Sequence, residues 1–233
     1  MRTPDSLLIA EDLLVLLLDD ASGKPHADST ALPRALAGAV LLELAMADRI
    51  RVTEQGEDVR KGHVVTVGTA KRPADPVLAR AFELLKNSRP MKPQRAIEKL
   101  GKGLREQVTE RIIARGWVRA QHDKVLGLFP RTKLPARDGS HKAAMRAELE
   151  SALLGKSDPT QRSAALISLL SATDVVHKVF PDEDKRAVKK RAKEIAEGEW
   201  AGAAVRKAIS DINTAIMTAV IVSTSAGAAS SGS

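Results

Sequence analysis

Two cations three residues apart, Lys102 and Arg105, flank Gly103 where a new helical pattern begins. Side chains at i and i+3 of a helix share a face, and the first turn of a helix leaves its N–H groups without intrahelical acceptors. Two cations beside such N–H groups make a cradle for a phosphate. The same pair also reads as a solvated helix face, and spacing alone leaves both readings open. Other chemistry is thinner. The histidines at 26, 63, 122, 141 and 177 form neither an H-x-x-x-H nor an H-E-x-x-H pattern, so no zinc site is expected. There is no G-x-S-x-G elbow. Gly23-Lys24 and Gly101-Lys102 lack the upstream glycine and the following Ser/Thr of a phosphate loop. His177, in the apolar VVHKVF stretch, reads as a core histidine with a hydrogen-bond partner. No catalytic residue, metal or cofactor is expected, and the chain reads as a non-enzyme.

Charge is more informative. Lys plus Arg number 37 against 29 Asp plus Glu, a net charge of +8, which favours polyanions: nucleic acid, acidic lipid or phosphorylated ligands. From Lys86 to Arg119 ten bases face only three acids, Glu98, Glu106 and Glu110. A second cluster, six bases in the nine residues from Lys185 to Lys193, is bracketed by acids and reads as a solvated helix face. Aromatics make up 2% of the chain, so platforms for base stacking are scarce. The absence of cysteine excludes disulfides and thiolate metal sites. Ser6 to Leu18 is apolar, but Glu11 and Asp12 interrupt it, and no cleavage site follows. Ala215 to Ala229 falls short of the roughly 20 apolar residues a bilayer requires. The expected place is therefore cytoplasmic, with any membrane contact made from the surface.

The elements that would position Lys102 and Arg105 are mostly helical. Periodicity predicts helices over Leu7–Leu18, Ala31–Asp48, Pro76–Asn87, Gln94–Leu100 and Leu104–Gly116. Alternation predicts a hairpin of Arg49–Gln55 with His63–Gly68, and a second of Trp117–Gln121 with Val125–Phe129 across a polar turn. Ser140–Leu154 is helical, Asp158 is a helix N-cap followed by a first-turn proline, and Thr173-Asp174 opens a further helix. Asp182–Trp200 has acids at its start and bases after, as a helix dipole favours. Val205, Ile209, Ile212, Ile216 and Val220 mark a closing helix. The fold class is mainly α: one helical domain over residues 1–225 with two β-hairpins, then a flexible tail at 226–233. The stretch DKVLGLFPRTKLP, from Asp123 to Pro135, joins an apolar run to basic residues and reads as a core strand or a protruding one.

Four segments in order, LLIAEDLLVLLLDDASGK, GAVLLELAMADRIRV, LREQVTERIIARGWV and DPTQRSAALISLLSATDVVHKVF, resemble the Golgi phosphoprotein 3 family, and its bacterial, actinobacteria-like members in particular. The resemblance runs from about Leu7 to Val222. It implies a helical domain with protruding hairpins that binds phosphatidylinositol 4-phosphate at membranes, holds client protein tails and self-associates. The family's basic-x-x-Arg pair falls on Lys102 and Arg105. Its membrane-facing hairpin falls on Trp117 to Pro135 and keeps Val125, Leu126, Leu128 and Phe129, with Arg131 and Lys133 beside them. The family's headgroup tryptophan falls near Asp28 and its arginine on Ala37, so both are replaced; Arg34, about one turn earlier, is the candidate substitute. What the resemblance then implies is a looser site for an anionic phospholipid, phosphatidylinositol 4-phosphate or another.

Three functions follow. The first is a peripheral membrane adaptor, with anionic lipid at Lys102, Arg105 and Arg34 and a shallowly inserted hairpin. The second is a winged-helix-like nucleic-acid binder, disfavoured by the acids among the bases of 104–115 and by the scarcity of aromatics. The third is a homo-oligomeric scaffold with the hairpin buried between subunits.

Overall fold

The computed structural model describes residues 7–125, 129–198 and 210–217. Among these are ten helices and two separate two-stranded antiparallel sheets, as the mainly α expectation requires. In chain order they are α1 (Ile9–Leu17), α2 (Ala31–Met46), β1 (Ile50–Val52), β2 (Val64–Thr66), α3 (Pro76–Lys86), α4 (Pro93–Leu100), α5 (Leu104–Ala114), β3 (Gln121–Val125), β4 (Phe129–Lys133), α6 (Ser140–Leu153), α7 (Gln161–Ala172), α8 (Val176–Val179), α9 (Lys185–Glu197) and α10 (210–217).

The core is built on α1 and α2. Every residue of α1 is buried, as expected for a helix that is apolar nearly all round. It packs on α2, α5, α6 and α7. The small residues of α2, Ala35, Ala37, Gly38 and Ala39, let neighbours approach closely: a Cβ at Gly38 would stand 2.6 Å from Ile216 Cδ1 of α10. Ile212 and Ile216 of the expected closing stripe are buried there; Val205, Ile209, Val220 and the tail 226–233 lie outside the described residues.

Local chemistry sets the helix starts. Asp75 accepts hydrogen bonds from the N–H groups of Val77 and Leu78 and is followed by Pro76 in the first turn, so α3 begins as predicted. Asp184 caps α9 through the Ala187 N–H. The start of α7 differs from expectation: its cap is Thr160, which accepts from the Ser163 N–H, and Asp158 and Pro159 precede the helix. α8 is a single turn.

The first hairpin pairs Ile50 with Thr66 and Val52 with Val64, and Met91 adds a bridge to Val64. The second is displaced from its predicted register. Gln121–Val125 pairs with Phe129–Lys133, while Val118 makes only an isolated bridge to Ala136. The polar residues His122 to Lys124 are strand, not turn. Pro130 stands opposite Lys124; a two-stranded ribbon has two outer edges, and its strands tolerate the missing N–H there. Leu126 and Leu128 lie outside the described residues, as do the side chains of 122–131.

The root of this hairpin is tied to the loop between α1 and α2. Leu134 N–H donates to Gly23 O at 3.3 Å and Ala136 N–H to Asp20 O at 3.0 Å. Arg119 N–H donates to Pro135 O at 3.1 Å. Lys142 of α6 donates through Nζ to Leu18 O and, at 2.7 Å, to Asp20 Oδ1. Gly23 has φ +61°, and a Cβ there would overlap the Leu134 backbone. That crossing, not a phosphate loop, accounts for the glycine.

Candidate anionic-ligand site

The joint between α4 and α5 carries the predicted pair. Gly101 ends α4 with its N–H on Ile97 O at 2.9 Å. Gly103, at φ +70°, redirects the chain into α5, whose first turn has no side-chain cap. Buried Leu104, Val108 and Ile112 fix the roll of α5. That roll leaves Lys102 exposed and Arg105 half-buried, neither in an ion pair among the described residues. Glu106, exposed beside them, is the nearest acid in sequence.

Pro33 is brought to this joint by packing that the sequence did not announce, and Arg34 follows it in α2. A Cβ on Gly101 would lie 3.5 Å from Pro33 O, so the first turn of α2 rests against the turn that bears Lys102. Lys102, Lys99 and Arg80 rim a shallow cavity floored by Val40, Val77 and Leu104; Arg105 does not line it. Asp28 and Ala37, onto which the resemblance carries the family's tryptophan and arginine, do structural work. Asp28 Oδ1 accepts from the N–H groups of Thr30 and Ala31, both at 2.7 Å, capping the entry to α2. Ala37 is fully buried in the core.

Two bases of the basic segment turn inward. Glu11, fully buried, accepts from Arg115 Nε at 2.8 Å, Arg111 Nε at 3.1 Å and its own helix-start N–H at Leu8 at 2.8 Å. Arg111 also reaches Asp75 at 2.9 Å. Burial pushes the Glu11 carboxyl up, but the Arg115 and Arg111 guanidiniums and the Leu8 N–H outweigh it and hold the group below its ordinary value. Next to it, Asp12 binds Arg162 at 2.6 Å and His141 Nε2 at 2.8 Å. His141 stacks on Trp117 with centroids 4.0 Å apart, and Arg115 lies over the same indole at 5.3 Å. Glu43 of α2 accepts from Ile9 N–H at 2.9 Å and is pushed up to about 7, chiefly by burial.

The sequence reading missed this ionic centre. Its signal was present: two adjacent acids inside a helix with no polar face must find cations once buried. They register only as interruptions of an apolar run until the helix is known to be central. The surplus of bases between Lys86 and Arg119 therefore divides, with Arg111 and Arg115 turned to Glu11 and the more exposed charge lying from Lys86 to Arg105 and at Arg119.

The remaining candidates separate. The Lys185–Lys193 cluster is largely paired, Lys189 with Asp174 at 2.6 Å and Arg191 with Glu194 at 3.3 Å, as a solvated helix face would be. His177 departs from expectation: its Nδ1 is buried without a hydrogen-bond partner, and burial lowers its pKa. In the hairpin, Val125, Phe129, Arg131 and Lys133 belong to paired strands, with the Lys133 side chain half-buried. No group of His, Asp or Glu among the described residues is arranged to hold a metal ion, and no described helix is long and apolar enough to cross a membrane.

A mainly helical domain with two hairpins is the class of architecture the four sequence segments suggested. A family model for Golgi phosphoprotein 3 (GPP34) matches residues 9–212, and the chain belongs to that family.

Proposed function

We propose that this protein is a peripheral membrane adaptor that binds anionic phospholipid at the α4–α5 joint, with Lys102 and Arg105 as the phosphate-contacting cations and Arg34 as their neighbour on α2. The observation that carries this reading is the packing of Pro33 on Gly101, which sets the first turn of α2 beside an uncapped helix start flanked by two unpaired cations. Anions are favoured at such a start. With Asp28 and Ala37 committed to capping and core packing, the site is built for a phosphate on an acidic surface more than for one inositol headgroup. The apolar run of the sequence from Val125 to Phe129 supplies, on this reading, the second signal that reversible attachment generally requires. Family membership also suggests client protein tails and self-association. The inward use of Arg111 and Arg115 supports a lipid over nucleic acid, because a recognition helix at α5 would lose two of its cations.

Sedimentation with vesicles tests this. Salt-sensitive binding is expected to vesicles containing phosphatidylinositol 4-phosphate or phosphatidylserine, with little to pure phosphatidylcholine. Lys102→Ala with Arg105→Ala should weaken it by about 2 kcal/mol, roughly 1 kcal/mol for each cation. Equal binding to neutral and acidic vesicles overturns the proposal.

A further inference from the structure

The basic character of the joint does not stop at Lys102. Lys92, Arg95, Lys99 and Lys102 fall at i, i+3, i+7 and i+10, with Lys92 the cap residue of α4 and Lys102 in the turn that follows it. Helix spacing sets Arg95 and Lys99 on one face of α4, and Lys92 and Lys102 extend the stripe beyond its two ends. The opposite face carries Pro93, Ala96, Ile97 and Leu100, all buried, so the stripe cannot rotate inward. Lys92, Arg95 and Lys102 are exposed. Lys99 is half-buried and donates through Nζ to Ser88 Oγ at 3.3 Å, which draws the α3–α4 connector, with exposed Lys86 and Arg89, alongside. None of these cations has an ion pair among the described residues, and Glu98, three residues after Arg95 and four before Lys102 and so among the cations, is the one acid between Lys86 and Lys102.

The start of α4 is unfavourable as it stands. Lys92 is the cap residue, no side chain caps it, and its first turn holds Arg95 and no acid. Cations at the positive end of a helix dipole are destabilising. Local rules broken in this way are expected at functional positions, and a row of anions laid along the stripe relieves the conflict.

We infer that α4 lies flat along an anionic bilayer, with Lys92, Arg95, Lys99 and Lys102 each facing a separate headgroup phosphate. This rests on the membrane reading above and extends it from one site to a line of contacts spanning about 15 Å. The occupant is a lipid surface because the stripe ends in the residue that begins the lipid site, and because no aromatic side chain lies on it to stack a base. Binding then follows the density of negative charge, and one headgroup type is not required.

The test compares the full chain with Lys92→Ala/Arg95→Ala and with Lys102→Ala/Arg105→Ala, using phosphatidylcholine vesicles of graded phosphatidylserine content. Melting temperatures no lower than the parent's confirm that the variants are folded, and a small rise is expected for the Lys92/Arg95 variant. The Lys92/Arg95 variant should bind about 25-fold more weakly at high phosphatidylserine, roughly five-fold per cation, and depend less steeply on phosphatidylserine content and on salt. If it binds like the parent while the Lys102/Arg105 variant does not, the stripe is idle and the lipid site alone stands. If the parent binds no acidic vesicle, the membrane reading fails and this inference with it. If the parent prefers duplex DNA at physiological salt and loses it in the Lys92/Arg95 variant, the occupant is nucleic acid and the inference is overturned.

Discussion

Arg115 Nε donates to Glu11 Oε1 at 2.8 Å, joining residues 104 positions apart. Arg111 reaches the same carboxylate, so the first turn of α1 is held to the end of α5 by two guanidiniums on one fully buried acid. Removing one partner of a buried pair strands the other. Glu11→Ala should therefore cost about 3 kcal/mol in urea unfolding. Arg115→Ala should cost less, because Arg111 still answers the charge and the two effects do not add. An unchanged urea midpoint for Glu11→Ala would show that this centre contributes nothing to stability.

Glu43 and Glu11 should make opposite contributions to the pH dependence of stability. The Glu43 pKa is raised to about 7 in the fold from an ordinary 4.5, so the folded state holds the proton more tightly and stability falls as pH rises between those values. Glu11 is lowered, so its contribution is present above its ordinary value and is lost as pH falls through the folded one. Glu43→Gln keeps an acceptor for Ile9 N–H and removes the buried charge. It should stabilise the protein by about 2 kcal/mol at pH 8, with the gain vanishing near pH 4. A gain that does not vary with pH would refute the assignment.

Gly23→Ala should be among the most damaging single substitutions. Its φ of +61° is unfavourable for alanine, and the added carbon meets the Leu134 and Pro135 backbone, which has no flexible end to move aside. A loss of about 3 kcal/mol is expected by thermal or chemical unfolding. A melting temperature equal to that of the parent would contradict the crossing.

Gly38→Leu tests the seat of α10. The nearest atom to a Cβ there is the mobile end of Ile216, so Gly38→Ala should be absorbed for about 1 kcal/mol while leucine should displace α10. Hydrogen exchange over 210–217 should accelerate in the leucine variant and stay near the parent rate in the alanine one.

Much of this fold was readable from local signals. Asp75-Pro76, the periodicity of α2 and the buried row Leu104, Val108, Ile112 place their helices within a residue or two of the observed ends. The second hairpin was misplaced because Gly127 and the polar His122–Lys124 offered competing turns, and strand register is settled by pairing partners that a single sequence does not display. At the candidate site, the helix start after the two glycines was legible in the sequence; Lys102 precedes it, beyond Gly103 at φ +70°, so helix geometry does not fix its direction relative to Arg105. The meeting of the first turn of α2 with this joint was not legible, since it depends on Pro33 reaching Gly101 across tertiary space. Glu11 and Asp12 show the same limit: their type was visible, and their partners Arg111, Arg115 and Arg162 lay a hundred or more residues away.

The root of the second hairpin has a mechanical meaning. Its exit strand is bonded to Gly23 and Asp20, the loop that leaves α1, and Lys142 clamps the same loop from α6. A ribbon fastened this way behaves as a lever whose fulcrum is that loop. A tug or tilt at its far end is delivered to the last turn of α1, a few residues from the carboxylates that α5 and α7 grip. Whatever the hairpin touches, the load arrives at the middle of the molecule.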